Sequence, residues 1–140
     1  MAQKIRDVMS RKPVTLRLDD TVSSAAEAMK QNNIGDVLVM DSENKVAGIV
    51  TDRDIAVRAV AEGKDPSATS LDEVCSSNIA TISPDDPVSA AVDMMRERAI
   101  RRLPVVEGGK PVGVVSIGDL AIERDERSAL ADISAAPAND

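Results

Sequence analysis

The sequence predicts an α+β fold in which one small unit of helices and short strands occurs twice in tandem. Much of the chain repeats itself in the same order, which indicates a duplicated structural unit. The 140 residues include no Phe, Tyr or Trp, so the core must be built from smaller apolar side chains. Such a core favours thin layers, for example short helices on a small sheet. Apolar runs such as Val37–Met40 are typical of strands buried on both faces.

The internal repeat matches the first half of the chain to the second half, position by position. Val8–Ser10 corresponds to Val74–Ser76, and the turn Asp19–Asp20 corresponds to Asp85–Asp86. The other matched pairs are Thr15 with Thr81, Val22 with Val88, Ala25 with Ala91, Met29 with Met95, Ile34 with Ile100, Lys45 with Lys110, Gly48 with Gly113, Val50 with Val115 and Asp54 with Asp119. We place the first copy at residues 5–62, a linker at 63–70, the second copy at 71–122, and a partly disordered C-terminal helix or tail at 123–140.

The first helix of each copy is predicted to begin after an acidic turn. Asp20 and Asp86 are the expected N-caps, and Pro87 follows at the first helical position, where Pro is favoured. We expect the two helices to end near Asn32 and Arg98. Apolar residues at helical spacing predict one buried face on each helix, formed by Val22, Ala25, Ala26 and Met29 in the first copy and by Val88, Ala91, Val92 and Met95 in the second.

Two strands and a second helix complete each copy. The predicted strands are Val37–Met40 and Lys45–Thr51 in the first copy, and Leu103–Val106 and Lys110–Ser116 in the second. The segments between paired strands are rich in Asp, Asn, Ser and Gly, as expected for turns. The second helix is predicted at Asp52–Ala61, where Gly63 stops it, and its partner begins near Ile117.

The composition argues against several classes of function. The chain has no His and one Cys, Cys75, so a disulfide within the chain is excluded and zinc, copper and His-based catalytic sites are not expected. The formal net charge of −7 argues against nucleic-acid binding. The absence of a long apolar segment predicts a cytoplasmic protein without a membrane partner.

The closing residues of each copy resemble the motif of the CBS domain. They read GIVTDRD at Gly48–Asp54 and GVVSIGD at Gly113–Asp119, and DVMS at Asp7–Ser10 and IRRLPVV at Ile100–Val106 match the same family. Over most of the chain, the two copies together resemble a Bateman module, which is a tandem pair of CBS domains. The resemblance implies βαββα repeats packed about a pseudo-twofold axis, and a disc-like homodimer of such pairs.

The same resemblance implies a regulatory or sensor module and not an enzyme. Such modules bind an adenine nucleotide or another adenosyl ligand in the cleft between repeats, and the candidates are AMP, ADP, ATP, NAD and S-adenosylmethionine. Ligand binding would act through conformation or dimer geometry on a regulated protein that the sequence does not identify. No catalytic residues are expected, because the sequence supplies no metal-ligand set and no Gly-rich phosphate loop beside Asp54 and Asp119.

The two strand-to-helix motifs, Thr51–Asp54 and Ser116–Asp119, have a structural and a functional interpretation. A hydroxyl followed three residues later by a carboxylate resembles a helix capping box. In the family, the carboxylate accepts hydrogen bonds from ribose and the hydroxyl lies near the phosphates. The two interpretations are compatible, and the occurrence of the motif in both copies favours function.

Family geometry builds each cleft from both repeats, and it predicts two unequal sites. The residues of the principal cleft are Thr51, Arg53, Asp54, Thr81, Ile100, Arg101 and Arg102. Those of the second cleft are Thr15, Ile34, Gly35, Ser116 and Asp119, with Asp36 at the position equivalent to Arg102. Arginines suit a phosphate and an acid repels it, so the second cleft is expected to be empty or to hold an uncharged adenosine portion. Without aromatic side chains, adenine would lie in an apolar slot formed by Ile34, Val37, Ile79, Ile100 and Leu103.

Three alternatives remain open at this point. Arg96, Arg98, Arg101 and Arg102 could form a solvated basic end of a helix. Cys75 is interpreted as a packing residue, with a redox switch as the alternative. The alternative function for the whole chain is a structural or interaction dimer with vestigial ligand sites.

Overall fold

The computed structural model of the chain describes residues 3–76 and 79–124, including the side chains up to Leu120. The predicted tail beyond Arg124 lies outside the described residues. The described residues form two compact units: those within 13–79, called the first unit, and residues 3–12 together with residues 80–124, called the second unit. Six strands and four α-helical segments are numbered in chain order: β1 Ser10–Arg11, β2 Thr15–Arg17, α1 Val22–Asn32, β3 Asp36–Met40, β4 Val46–Thr51, α2 Asp52–Asp54, α3 Val88–Arg98, β5 Arg102–Glu107, β6 Lys110–Ser116 and α4 Ile117–Arg124.

The two units share one sheet plan, and the predicted α+β fold of duplicated units is confirmed. In the first unit β3 pairs antiparallel with β4 and parallel with β2. In the second unit β5 pairs antiparallel with β6, and an isolated parallel bridge from Ile82 to Val105 takes the place of a β2 equivalent. The predicted strands agree with the observed ones to within one residue at each end.

One face of each long helix covers the sheet of its own unit, as the apolar spacing predicts. Val22, Ala25 and Met29 of α1 are buried, together with Val37, Val39 and Val50 of the sheet. The equivalent cluster of the second unit contains Val88, Ala91 and Met95 of α3 with Leu103, Val105 and Val115. Ala26 was expected on the buried face but is exposed, because the apolar stripe of α1 is narrower than predicted. Val92 is half-buried and packs against the second cluster.

The predicted N-caps Asp20 and Asp86 are wrong by one residue. Helix α1 begins after Thr21, whose hydroxyl accepts a hydrogen bond from the Ser24 N–H at 3.1 Å. Helix α3 likewise begins at Val88, so Pro87 lies at the N-cap position and not inside the helix. The carboxylates of Asp20 and Asp86 accept instead from the N–H groups of Arg17 and Ser83, at 2.8 and 3.0 Å. Each of these acids lies one residue before the N-cap, where its carboxylate closes the turn that leads into the helix.

The predicted helix Asp52–Ala61 is present, but most of it is not α-helical. After the α-helical turn Asp52–Asp54 the chain widens to π-helical geometry at Ile55–Val60. The Ala61 N–H donates to the Ala56 carbonyl at 2.9 Å, five residues back, where an α-helix would use the fourth. The equivalent segment of the second unit, α4, is an ordinary α-helix.

The segments that lead into each copy are exchanged between the two sheets. Leading segment Lys4–Ser10 belongs to the second unit, where β1 pairs antiparallel with β6. Leading segment Ser70–Ser76 belongs to the first unit, where Ser76 pairs antiparallel with Ile49 of β4. The compact units are therefore not the two sequence copies, and the predicted boundaries of the copies stay a prediction.

Equivalent backbone hydrogen bonds fasten each leading segment beside a long helix. The Ile5 N–H donates to the Asp86 carbonyl at 2.9 Å, and the Val88 N–H donates to the Gln3 carbonyl at 3.0 Å. In the first unit, the Leu71 N–H donates to the Asp20 carbonyl at 2.8 Å, and the Val22 N–H donates to the Thr69 carbonyl at 2.9 Å. Because the same bonds recur in both units, the exchange is part of the duplicated plan.

A glycine in each hairpin allows the leading segment to cross the sheet. A Cβ atom at Gly113 would lie 2.5 Å from the Ser10 carbonyl oxygen and 2.8 Å from Met9 Sδ. A Cβ atom at Gly48 would lie 2.6 Å from the Ser76 carbonyl oxygen and 3.0 Å from Cys75 Sγ. Both distances to backbone oxygen are shorter than packed atoms allow, so only glycine fits at these crossings.

We expect Gly113→Ala to lower the free energy of unfolding by about 1–3 kcal/mol, because the new methyl group forces the leading segment off the sheet. Urea unfolding followed by far-ultraviolet circular dichroism measures this, since the chain has no Trp or Tyr for fluorescence. Lys110→Ala, at the exposed start of the same strand, is the control and should change stability by no more than about 0.5 kcal/mol. Equal stability of Gly113→Ala and the unmodified protein would contradict the close crossing.

We expect Ala99→Gly to raise the free energy of unfolding by about 1 kcal/mol, because Ala99 ends α3 in the left-handed region with φ 54°. Asn33 ends α1 at the same φ, and Asn tolerates that conformation better than Ala. The reciprocal change Asn33→Ala should therefore destabilise the protein in the same assay. A loss of stability in Ala99→Gly would show that the C-terminal turn of α3 is not strained.

Candidate functional site

Each strand-to-helix junction contains a reciprocal pair of hydrogen bonds, and both pairs have nearly the same dimensions. In the first unit the Asp54 N–H donates to Thr51 Oγ1 at 3.1 Å, and the Thr51 N–H donates to Asp54 Oδ2 at 2.9 Å. In the second unit the Asp119 N–H donates to Ser116 Oγ at 3.2 Å, and the Ser116 N–H donates to Asp119 Oδ2 at 2.9 Å. The capping-box interpretation of both motifs is therefore correct.

The capping bonds use only part of the hydrogen-bonding capacity of each carboxylate. They engage Oδ2 of Asp54 and of Asp119, and an ionised carboxylate has a second oxygen that also accepts hydrogen bonds. Asp54 is held at the edge of solvent, with 16% of its side chain exposed. The junction can therefore cap the helix and still accept a hydrogen bond from the hydroxyl of a ligand.

Arg58 is a residue of this junction that the sequence analysis did not single out. Its Nε lies 4.0 Å from Asp54 Oδ1, so the cation faces the carboxylate oxygen that does not cap the helix. The spacing of Asp54 and Arg58, four residues apart on a predicted helix, was the signal that could have found the pair. Arg53 is exposed, as are its neighbour Asp52 and Arg58 itself.

The cross-strand neighbours of the two junctions carry opposite charges. Asp36 lies opposite Thr51 in the register of β3 and β4, and Arg102 lies opposite Ser116 in the register of β5 and β6. The residues that precede Asp36 and Arg102 also make equivalent hydrogen bonds in the two units. The Asp52 N–H donates to the Gly35 carbonyl at 3.0 Å, and the Ile117 N–H donates to the Arg101 carbonyl at 2.9 Å. The sequence-based match of Asp36 with Arg102 is thus correct in three dimensions.

The remaining predicted site residues lie at the same end of the sheet as the junction of their own unit. Thr15 is the first residue of β2 and lies opposite Leu38, two residues beyond the start of β3 at Asp36. Thr81 precedes Ile82, which takes the equivalent place beside β5. Ile34 and Ile100 follow the left-handed ends of α1 and α3; Ile34 is 36% exposed and Ile100 is partly buried.

Each unit thus gathers half of each predicted cleft. The first unit holds Thr15, Ile34, Gly35, Thr51, Arg53 and Asp54, and the second holds Thr81, Ile100, Arg101, Arg102, Ser116 and Asp119. The principal and second clefts were both predicted to draw on the two units, and their assembly stays a prediction. Two of the residues predicted to line the adenine slot, Val37 and Leu103, are fully buried in the cores of their units. They therefore support the sheet from the core side.

Cys75 lies in the core of the first unit, 8% exposed. Burial raises the pKa of the Cys75 thiol, with smaller contributions from the nearby carboxylates of Asp72 and Asp54. A raised pKa leaves less reactive thiolate at neutral pH, which favours the packing interpretation over a redox switch. Within the described residues, no group of His, Cys, Asp and Glu side chains is arranged to hold a metal ion. In the same part of the chain, no helix is both long enough and apolar enough to cross a membrane.

Proteins of known sequence and structure contain the same arrangement. The chain is 36% identical over 134 residues to the CBS domain-containing protein YhcV of Bacillus subtilis, a match that covers 93% of this chain and 94% of the relative. It is 26% identical to hypoxic response protein 1 of Mycobacterium tuberculosis over 93% of this chain and 91% of that protein. A crystal structure of that protein with two coordinated zinc ions matches with a TM-score of 0.77 over 85% of this chain and 97% of its own.

A third solved structure contains adenosyl ligands. The CBS domain pair of protein MJ0100, in complex with 5′-methylthioadenosine and S-adenosyl-L-methionine, matches with a TM-score of 0.82 and 26% identity, covering 91% of this chain and 100% of that chain. The family model of the CBS domain matches residues 5–60 and again residues 71–125. The duplicated junctions and sheets described above are accordingly those of a tandem CBS domain pair, and the chain belongs to the CBS domain family.

Proposed function

We propose that this chain is a regulatory module that binds an adenine nucleotide or another adenosyl ligand through its strand-to-helix junctions. The ligand would lie in the cleft between the repeats that the sequence predicts, and a regulated protein would respond to the resulting change in conformation or dimer geometry. The observation that carries the proposal is the duplicated junction, in which the backbone fixes one oxygen of Asp54 and of Asp119 while the carboxylate retains capacity for a ribose hydroxyl.

The chemistry of the junction is better suited to binding a ribose than to catalysing a reaction. Vicinal hydroxyl groups donate hydrogen bonds to an ionised carboxylate, and such charge-assisted bonds are among the stronger ones in proteins. Catalysis would need a nucleophile or base poised beside a reacting atom. The predicted absence of enzymatic activity therefore remains part of the proposal. The adenosyl compounds bound by the MJ0100 domain pair support the choice of ligand class.

The charges beside the junctions support unequal sites. Arg101 and Arg102 are proposed to hold the phosphates of a ligand whose ribose is bound by Asp54, and Asp36 would disfavour phosphates in the second cleft. AMP, ADP, ATP and NAD all fit the arginine-containing site on this argument. The second cleft, with Ser116 and Asp119, would be empty or take an uncharged adenosine portion such as that of S-adenosylmethionine.

A structural or interaction dimer without a ligand is the competing function. The exposed apolar residues Val57, Val60 and Ile117, which are 48%, 65% and 47% exposed, favour a contact surface near both junctions. A homodimer is compatible with either function. Ligand binding separates the two, because a vestigial site binds no adenosyl compound.

We expect Asp54→Asn to weaken binding of AMP by about 10- to 100-fold, the loss typical of a charged hydrogen-bond acceptor. The Asn amide oxygen can still accept from the Thr51 N–H, so the variant tests the charge rather than the cap. Isothermal titration calorimetry with AMP, ATP, NAD and S-adenosylmethionine measures the affinities. An absorbance band near 260 nm in the purified protein would also report bound nucleotide, since the chain has no aromatic side chains of its own.

Two variants serve as controls for Asp54→Asn. Asp19→Asn, in the exposed turn before α1, should bind AMP like the unmodified protein. Asp119→Asn should lower AMP affinity less than Asp54→Asn if the two clefts are unequal. If none of the four compounds binds at millimolar concentration and none changes the thermal stability, the sensor function is rejected. The interaction dimer is then the remaining function.

We expect Arg102→Gln to lower AMP affinity by about tenfold while leaving adenosine affinity unchanged, because the arginine contacts phosphate and not the nucleoside. The matched control is Arg96→Gln, which removes an exposed arginine from the last turn of α3. If both variants bind AMP and adenosine like the unmodified protein, the arginines form only a solvated basic end. Calorimetric titrations with the two ligands decide between these outcomes.

A further inference from the structure

The side chain of Arg58 connects the first junction to the leading segment Ser70–Ser76. Its Nε lies 4.0 Å from Asp54 Oδ1. Its Nη1 lies 3.3 Å from the carbonyl oxygen of Val74 and 3.5 Å from that of Cys75. One guanidinium thus faces the carboxylate and also donates to two consecutive backbone carbonyls.

Arginine is suited to this bridge by the shape of its charged group. The guanidinium presents five donors in a planar fork, so that Nε and Nη1 can address different acceptors at the same time. A lysine ammonium would bring the same charge but a single donor atom. The order of the pair, with the acid four residues before the base, is also the more favourable one on a helix.

The leading segment is held at its start by backbone bonds from the Leu71 N–H to the Asp20 carbonyl at 2.8 Å and from the Asp72 N–H to the Leu18 carbonyl at 3.1 Å. Leu71–Glu73 forms a single helical turn, and the Cys75 N–H donates to the Leu71 carbonyl at 2.9 Å within the segment itself. The bond to the sheet is made by Ser76, whose N–H donates to the Ile49 carbonyl at 3.0 Å. Arg58 therefore reaches the segment just before it joins β4, at two carbonyls that the turn does not use.

The second junction has a different residue at the equivalent position. Asp119 stands in a capping box of nearly the same dimensions as that of Asp54, but the residue four places after it in the sequence is Glu123. An acid cannot donate to backbone carbonyls when ionised. The residue at this position of the second junction therefore lacks the donors that Arg58 supplies in the first.

We propose that Arg58 is a positioning residue that connects Asp54 to the leading segment Ser70–Ser76. Through it, the binding of a ligand to the Asp54 carboxylate affects how firmly the segment is held. In the ligand-free protein the ion pair with Asp54 holds the guanidinium against the carbonyls of Val74 and Cys75. A hydroxyl group that donates to Asp54 Oδ1 immobilises the carboxylate, and with it the guanidinium and the segment. The effect of a bound hydroxyl group rests on the proposed function, whereas the ligand-free connection from Asp54 through Arg58 to the segment does not.

Hydrogen–deuterium exchange of the segment 70–76 tests the connection without any ligand. Asp54→Asn, Arg58→Gln and the double variant are compared with the unmodified protein. Each single variant should speed exchange of this segment by about two- to fivefold, the range expected for a partly exposed ion pair, and the double variant should add little more. Lys30→Gln, on the exposed face of α1, is the control and should leave the segment unchanged.

Arg58→Lys distinguishes the bridge from simple charge. If the fork of the guanidinium is required, the segment 70–76 should exchange as fast in Arg58→Lys as in Arg58→Gln. If only the positive charge matters, the segment should exchange in Arg58→Lys as it does in the unmodified protein. Independent, additive effects of Asp54→Asn and Arg58→Gln would overturn the connection, as would exchange rates unaffected by either substitution. Both results can be read even if the protein binds no nucleotide.

AMP then tests the transmission of binding. In the unmodified protein, saturating AMP should slow exchange of the segment 70–76 by about two- to fivefold. Arg58→Gln should still bind AMP, with affinity changed by less than tenfold, but should lose this slowing. Equal slowing in Arg58→Gln and in the unmodified protein would overturn the role of Arg58 in transmission, whereas failure of the unmodified protein to bind AMP or another adenosyl compound would overturn both the transmission and the proposed function.

Discussion

The reciprocal hydrogen bonds at the two strand-to-helix junctions are the constraint on which the site depends. They turn the chain from the last strand of each hairpin into the following helix. The same bonds fix the orientation of Asp54 and Asp119, because one carboxylate oxygen is committed to a backbone N–H three residues away. Stability and binding are therefore not rival explanations of this motif, since the cap is what positions the acid. A ligand that meets such an acid does not have to order it first, which lowers the entropic cost of binding.

The features that depend on neighbours along the chain could be predicted from the sequence. Helical spacing placed Val22, Ala25 and Met29 on a buried face, and the alternation of apolar runs with turns placed all four hairpin strands. The exchange of leading segments could not be predicted in this way, because a bond such as Ile5 N–H to the Asp86 carbonyl joins residues far apart in the sequence and leaves no periodic signal. The N-cap error had a related cause: Asp20 is a good cap by type, but the turn before the helix uses its carboxylate first. The spacing of Asp54 and Arg58 could have revealed their pairing, but the carbonyl acceptors of Arg58 are backbone atoms, which no side-chain pattern reveals.

Duplication has preserved the backbone of the two units more closely than their charges. Asn33 and Ala99 end their helices at the same φ of 54°, and the capping distances of the two junctions agree to 0.1 Å or better. Around these equivalent junctions, Asp36 stands for Arg102 and Arg58 stands for Glu123, although the helix that follows is π-helical in the first unit only among the described residues. Backbone geometry is set by many cooperating hydrogen bonds, while a surface charge can change at little cost in stability. Differences in function between the two halves are accordingly expected in the side chains.

The exchanged leading segments have a consequence for the order in which the chain can fold. The first unit has all its strands once synthesis has passed Ser76, because Ile49 then has its partner. The second unit contains the leading segment Lys4–Ser10, and Ser10 must wait for Val114, which is made much later in synthesis. Contacts between such distant residues slow folding, because a long loop must close before they form. During synthesis, Ile5 would therefore remain unburied until the chain had been made beyond Val115, which belongs to the same core cluster.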